Sequence, residues 1–593
     1  MSHYQASTAL AGGLDLSSAP LFVRPGMSLF MQNYVCDLNG GYRRIRGYER
    51  YDGQPAPSAL GDRAARDARR AAIAPVPGAG PVRGVAMLKG VLYAWRDNPG
   101  ATACLMWKAT GAGWVPVSLG TYLPYDAGAH AQPIAEGDTI TNGSGASAIV
   151  RRLVISSGSF AGAPAATGRL VVDTVVGVWA AGNAVQVGGV TKAKATGPVT
   201  PHSQAAGGDY RTICHNFYGS SDRLRLYGVD GAGPAFEFDG TVFCQLKTAM
   251  PLDKPTALCV HQGYLFLAFA GGSLQNSGIG EPATFSPRLG AGEIGTGDVI
   301  TDLVSTRDVL ATYGRSSLHL LYGGQPNEWA LKSFSSHGGC KPKTAKDIGG
   351  DVLAYDEAGL GFLQAVQAFG DFKASQASSR IEPLLAGQPS NFALMSKALG
   401  RYQLFLADRS CIVATLLGTE IKGFGRCQYA HTFVCGVVGA DLAGTERQFV
   451  GGLDGYVYEL ERGTSFDGLP MEFILRLPYV SHGGVGVRKR YHRIQLEVSA
   501  TSPFTLLLQP DYDYGTQRVS TYTLETRGAG GFWDVANWDE FVWDEGIVAT
   551  PNAYLEGVAS NVGFLIYGKS DEVDTFNIAA MHVYYSKRGQ SRG

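Results

Sequence analysis

From about residue 84 to residue 468 the chain is written in short runs of alternating or wholly apolar positions, each closed by Gly, Asp or Asn. Runs of that length with that punctuation predict β-strands joined by tight turns. One strand type recurs, with a polar or Gly entry followed by Leu or Val and then an aromatic or small apolar residue. It reads Gly90-Val91-Leu92-Tyr93, Arg225-Leu226-Tyr227-Gly228, Gly263-Tyr264-Leu265-Phe266 and Asp308-Val309-Leu310-Ala311. It returns as Asp351-Val352-Leu353-Ala354, Tyr402-Gln403-Leu404-Phe405 and Arg447-Gln448-Phe449-Val450. From Leu226 onward the steps to Leu265, Leu310, Leu353, Leu404 and Phe449 are 39, 45, 43, 51 and 45 residues. A period near 40–50 with several strands per repeat predicts a divergent β-propeller of about six or seven blades. A single four-stranded blade has two apolar faces and buries them only by stacking on neighbours.

The step from Leu92 to Leu226 is 134 residues, too long for one blade. The excess falls at 126–201, rich in Gly, Ala, Val and Thr, and predicts a small inserted β-barrel. After Phe466-Asp467-Gly468 the repeat stops, and 469–593 reads as a C-terminal β domain. The remaining divisions are an N-terminal arm over 1–57, an Arg-rich helix over 58–75, a first propeller segment over 76–125 and the rest of the propeller over 202–468. The helix has Ser58 as its expected N-cap and Pro75 as its stop. A propeller's entry and exit share a blade edge, so the arm and the C-terminal domain are expected to lie together.

Two features stand out as candidate interfaces. Arg63, Arg66 and Arg70 recur at helical spacing on one face with few and small apolar neighbours. Such a face is either simply solvated or docks on carboxylates of a neighbour. Trp533, Trp538 and Trp543 head three Trp-Asp pairs spaced five apart. Their indoles either pack on a neighbouring element of the same chain or anchor an interface.

Composition narrows the classes. Lys and Arg total 50 against 51 Asp and Glu, a net charge of -1, and charged residues are 17 %. Bulk-charge binding to nucleic acid and intrinsic disorder are both excluded by that balance together with 28 Tyr and 26 Phe. No apolar run approaches a membrane span, and the first residues lack a signal peptide's basic and apolar regions. Nine cysteines without a C-x-x-C pair predict reduced, buried thiols in a protein assembled in a cytoplasm.

Chemistry is sparse. No G-x-S-x-G elbow, H-E-x-x-H helix or P-loop lysine occurs. None of the 11 His pairs with another at helical spacing. Asp511-Tyr512-Asp513-Tyr514-Gly515 lacks the downstream Glu of a calcium loop. Arg488-Lys489-Arg490 reads as a solvated strand entry rather than a phosphate contact. The expectation is no catalytic residue, no metal and no cofactor.

The opening text, Ala9-Leu10-Ala11-Gly12-Gly13-Leu14-Asp15-Leu16 and Gly40-Gly41-Tyr42-Arg43-Arg44-Ile45-Arg46-Gly47-Tyr48, resembles large structural proteins of double-stranded DNA bacteriophage tails. Glu281-Pro282-Ala283-Thr284-Phe285, Gly297-Asp298-Val299-Ile300-Thr301-Asp302-Leu303, Gly452-Leu453-Asp454-Gly455-Tyr456-Val457-Tyr458 and Ser465-Phe466-Asp467-Gly468 are similar to the propeller text of podovirus tail nozzle proteins, also called tail tubular protein B. The resemblance implies a virion protein, assembled in the bacterial host cytoplasm. It would be a homo-hexameric ring below the portal-bound adaptor, with tail fibres as further partners. The ring would continue the channel, through which viral DNA passes without sequence-specific binding, hold the genome and open for ejection. It implies no enzyme. Two other readings stand beside it: a receptor-binding or fibre-like phage protein with a lectin-like propeller, and a carbohydrate-active propeller enzyme. No acid pair in the sequence nominates the latter.

Overall fold

The computed structural model describes residues 3–20, 22–160, 162–219, 223–335, 338–366, 371–515, 520–526 and 548–590. It is mainly β, with a propeller, an inserted barrel and a two-sheet platform.

The propeller has seven blades. Each recurring sequence run is the second strand of its blade: Val91–Asp97, Arg225–Val229, Tyr264–Phe269, Val309–Gly314, Val352–Tyr355, Arg401–Leu406 and Glu446–Gly452. The marker positions Leu92, Leu226, Leu265, Leu310, Leu353, Leu404 and Phe449 are all buried, at most 1 % exposed. That burial explains why the pattern survives divergence. The second strand is flanked on both edges and packs between neighbouring blades, so both of its faces must be apolar.

The last blade is completed from the other end of the chain. Strands Phe433–Ala440, Glu446–Gly452 and Val457–Leu460 lack a fourth partner until Tyr48–Tyr51 pairs with Val457–Leu460, Tyr48 lying opposite Leu460. Tyr48 is fully buried there. Its ring stacks on Phe466 at 5.1 Å and meets Phe433 and Tyr458 edge-on at 5.3 Å. Its hydroxyl sits 2.7 Å from His431 Nδ1.

The sixth blade does not end at its fourth strand. Glu420–Gln428 continues into Tyr34–Cys36, then Tyr42–Arg44, then the long strands Phe576–Gln590 and Val487–Ala500. Tyr34 is opposite both Arg426 and Arg44. The sixth blade and one sheet of the C-terminal domain are therefore one 11-stranded sheet. A second sheet, Phe30–Gln32, Met471–Arg476, Val562–Ser570, Phe504–Tyr512 and Tyr522–Thr526, covers its C-terminal part. Tyr34, Phe473, Leu475, Ile494, Leu496, Leu506, Ile566 and Val583 fill the space between the sheets. The arm thus lies in the C-terminal domain as strands rather than beside it. Gly13 makes this crossing possible. Its φ is +71°, and a Cβ there would stand 2.4 Å from the Phe424 carbonyl oxygen.

The helix is shorter than the 58–75 expected from sequence. It runs Arg63–Ala72, with Asp62 rather than Ser58 as N-cap, accepting from Ala65 N at 2.8 Å. Ser58 instead donates to Glu49 at 2.7 Å. The inserted barrel begins at Thr121, before the expected 126. Six strands between Thr121 and Ala195 close it, Thr121–Gly128 pairing with both Ala166–Val176 and Val190–Ala195. After it, Gln204–Ala205 returns to pair with Ala103–Thr110 of the first blade.

Replacing Tyr48 by Ala should remove about 3–5 kcal/mol. The observable is a lower urea midpoint. A midpoint within error of the parent would show that the N-terminal strand does not hold the ring of blades closed.

Candidate functional site

The arginine helix buries none of its residues. What holds it is charge. Arg63 meets Asp571 at 2.7 Å and Glu572 at 3.2 Å, and Arg66 lies 3.7 Å from Glu572. Arg70 bonds Asp67 at 2.5 Å and reaches Asp467 at 3.4 Å. The acidic partners foreseen on a neighbour are thus present in the chain itself, on the turn at 571–572 and at the propeller exit. The three arginines, Asp67, Asp571 and Glu572, together with Glu49, Ser58, Thr464 and Gly468, line a polar cleft of about 510 Å³. Arg63 keeps 60 % of its side chain exposed, whereas Arg70 keeps 14 %. Asp467 is nearly buried and takes a second bond from Arg50 Nε at 2.6 Å. Burial pushes the Asp467 carboxyl above its usual range even so, because the two guanidiniums do not fully offset the lost water. Trp533, Trp538 and Trp543 lie outside the described residues.

A second polar centre welds the barrel to the second blade, and sequence reading passed it over. Arg152 is 8 % exposed. It bonds Glu237 at 3.0 Å and Glu136 at 3.2 Å, and also binds Asp239. Arg225 takes the same Glu237 oxygen at 2.6 Å, and Tyr227 donates to the other at 2.9 Å. Burial alone would lower the Arg152 pKa, but the three carboxylates outweigh it and raise it. A signal existed. In the sequence Arg152 falls in the same alternation as Ala148, Val150 and Val154, all buried, and a charge there needs a partner from elsewhere; a bulge after Val150 turns Arg152 and Val154 toward the blade. Around this centre Val154 and Val171 pack on Tyr227, Val229 and Leu246. At the edge of the same junction His202 lies between Tyr122 at 4.8 Å and Phe243 at 5.6 Å. Burial pushes its imidazole down to about 4.

The Arg488-Lys489-Arg490 triplet is not simply a solvated strand entry. Lys489 is fully buried and donates to the carbonyls of Gly484 at 2.5 Å and Ser560 at 2.8 Å. Arg44 is buried likewise, donating to Val573 O at 2.7 Å and Thr464 O at 3.0 Å, and burial lowers it to about 10. In the 511–515 loop, Asp511 accepts from Tyr479 and lies 3.3 Å from Arg476. No cluster of three metal-ligating side chains occurs among the described residues. All nine cysteines are free thiols, eight of them buried. No helix among the described residues is long and apolar enough to cross a membrane.

A cavity of about 700 Å³ lies among the second to fifth blades, lined by residues that include Asp209, Arg211, Thr256, Thr301 and Lys341. Its charges are largely paired: Lys343 binds Asp209, Lys341 meets Glu357 at 2.9 Å, and Arg211 lies 3.5 Å from Asp302.

No family model matches the chain, and no curated protein matches it by sequence. Solved structures overlay it loosely. The computationally designed protein Ika8 is 12 % identical with a TM-score of 0.31, covering 65 % of this chain and 98 % of that one. The WD40 repeats of RRP9 are 8 % identical at 0.38, covering 66 % and 97 %. The WD40 domain of Toxoplasma gondii coronin is 8 % identical at 0.34, covering 73 % and 87 %. At these scores the propeller assignment rests on the sheet topology of the chain itself.

The barrel junction should be acid-sensitive. His202 is neutral in the fold, with a folded pKa near 4 against roughly 6.5 unfolded. The unfolded chain therefore binds the extra proton between those values. The stability this group contributes is present above about pH 6.5 and is lost as pH falls toward 4, by about 2–3 kcal/mol. His482, also lowered to about 4, titrates in the same window. Exchanging His202 for Phe should flatten part of the fall in urea midpoint between pH 6.5 and 4. An unchanged slope would contradict the assignment.

Proposed function

We propose that the chain is the ring-forming subunit of a bacteriophage tail nozzle, attached below the adaptor and continuing the DNA path. The observation that carries this reading is the single sheet running from the sixth blade through Tyr34–Cys36 and Tyr42–Arg44 into the platform. A body built this way has no free linker between propeller and platform. That suits a part that must transmit load while a genome passes. The tail-protein resemblance of residues 9–53 falls on this same segment. The propeller channel is not the conduit in this reading. DNA must run along an axis between copies, which calls for a ring. A near-neutral chain suits that role, because a strongly basic wall would hold phosphates. Within the reading, tail fibres are further partners and the chain performs no catalysis.

Purified full-length chain, or chain incubated with adaptor, should form closed rings of six in native mass measurements and negative-stain images. Trimers would favour the fibre-like alternative, and turnover of host glycans would favour the enzyme.

The polar cleft beneath the arginine helix is the proposed adaptor contact. Charge reversal of Arg63 and Arg66 together should weaken attachment to adaptor-bearing capsids, more so at low salt. The cost to folding should stay under about 1 kcal/mol per exposed pair. Attachment equal to the parent at low salt would leave the helix as a linker held by its own chain. Removing residues 1–57 is not a usable alternative, since that segment supplies strands to the last blade and to both platform sheets.

A further inference from the structure

The platform half of the large sheet ends in two strands whose stretches His3–Ser7 and Asn552–Tyr554 have no outer strand beside them among the described residues. At one side is His3–Ala9, paired only to Phe576–Gln590. At the other is Asn552–Ala559, paired only to Val487–Ala500. Edge strands of stable monomers are usually blunted by Lys, Pro or a covering element. His3-Tyr4-Gln5-Ala6-Ser7-Thr8-Ala9 has neither Lys nor Pro, and His3, Gln5 and Ser7 are exposed.

The two edges are compatible for pairing in register, in side-chain phase and in hydrogen-bond phase, all of which follow from the one unshifted antiparallel register that joins them. They are level: Gln5 lies opposite Tyr584, which lies opposite Arg493, which lies opposite Tyr554. Ser7 traces through His582 and Gln495 to Asn552 in the same way. They agree in side-chain phase. Ala6 and Ala553 stand on one level, and both face the core between the platform sheets. They agree in hydrogen-bond phase. The Leu10 amide bonds Ala579 O, so by alternation Ala6 and Thr8 point inward and Gln5 and Ser7 outward. The Leu496 amide bonds Pro551 O, so Ala553 points inward and Asn552 and Tyr554 outward. Every pairing between the edges is antiparallel, so the two edge strands also run in opposite directions.

We propose that the partner on these edges is a second copy of this chain, His3–Ser7 of one copy pairing antiparallel with the Asn552–Tyr554 edge of the next. A rotation about an axis along the strands brings the two edges together without axial shift, and repeating it extends the sheet around a ring. The contact is heterologous, so a closing rotation is what keeps it from making filaments. Tyr554, 73 % exposed, would then lie beside Gln5 and be covered at the joint. This inference rests on the reading of the chain as a ring subunit and specifies how the ring is made.

The test is a Gln5→Cys, Tyr554→Cys double variant of the full chain. Across the proposed joint the two Cα atoms would be about 5.5 Å apart, within disulfide reach. Within one chain they are separated by three strand spacings, about 14 Å, and cannot join. Mild oxidation should give a thiol-reversible ladder of covalent oligomers, ending at the size of the closed ring. Separately, Gln5→Pro removes an outward amide while sparing the inward ladder. It should lower the ring fraction at least tenfold with an unchanged unfolding midpoint, whereas Gln5→Ala should do neither. Rings that form with the cysteines unlinked, or that tolerate Gln5→Pro, would overturn the joint and leave the nozzle reading standing. Cysteine-linked open strings from a parent chain that forms no ring would uphold the joint and overturn the nozzle reading. An unlinked monomer overturns both.

Discussion

Everything in this molecule depends on two short strands near its N-terminus being hydrogen-bonded on both edges. Tyr34–Cys36 takes the outer strand of the sixth blade on one side and Tyr42–Arg44 on the other, which in turn takes Phe576–Gln590. Backbone amides and carbonyls buried in such a position must be paired. Removing either strand would orphan a row of them in both the propeller and the platform. The order of the fold follows. The arm cannot settle until both the sixth blade and the C-terminal strands exist, and the seventh blade cannot close until the arm delivers Tyr48–Tyr51 to it. These are contacts of very long sequence separation, the kind that slows folding and couples distant parts into one cooperative unit.

What was legible in the sequence was local. The recurring Leu-centred run marks the second strand of each blade because that strand is apolar on both faces whatever its neighbours are. The blade count stayed open between six and seven for a physical reason. The closing strand is contributed by Tyr48–Tyr51, which sits in arm text about 400 residues from its partner Val457–Leu460. No period can reveal a strand that arrives from outside the repeat. The barrel was visible as an excess of length, but its first strand, Thr121–Gly128, was not separable from propeller text, because both are written in the same alternating code.

The charged sites divide along the same line. Arg63, Arg66 and Arg70 were recognisable because helical spacing and the lack of apolar neighbours are sequence properties. Their partners Asp571, Glu572 and Asp467 were not, since they lie about 400–500 residues away. Lys489 read as solvated because its neighbours Arg488 and Arg490 are exposed, and alternation along a strand puts the middle residue on the other face. Arg152 is the opposite case. Its misfit among Ala148, Val150 and Val154 was present in the sequence, and only the identity of its partners required the fold.

The placement of charge also separates what is fixed from what is left open. Two groups of buried or half-buried ion pairs sit where one module meets another: Arg152 with Glu237 between barrel and blade, and Arg50 and Arg70 with Asp467 at the propeller exit. Breaking such a pair by removing one partner strands a charge in a low-dielectric site and is costly, so these contacts specify one docking geometry. The platform edges are built from other material. His3–Ala9 carries no acid and no lysine, and Asn552–Ala559 carries one glutamate. Backbone pairing there would be gained and lost without stranding a charge. On the proposed ring reading that asymmetry has a use: charged joints fix the modules within the chain, and backbone edges poor in charge are left at its borders.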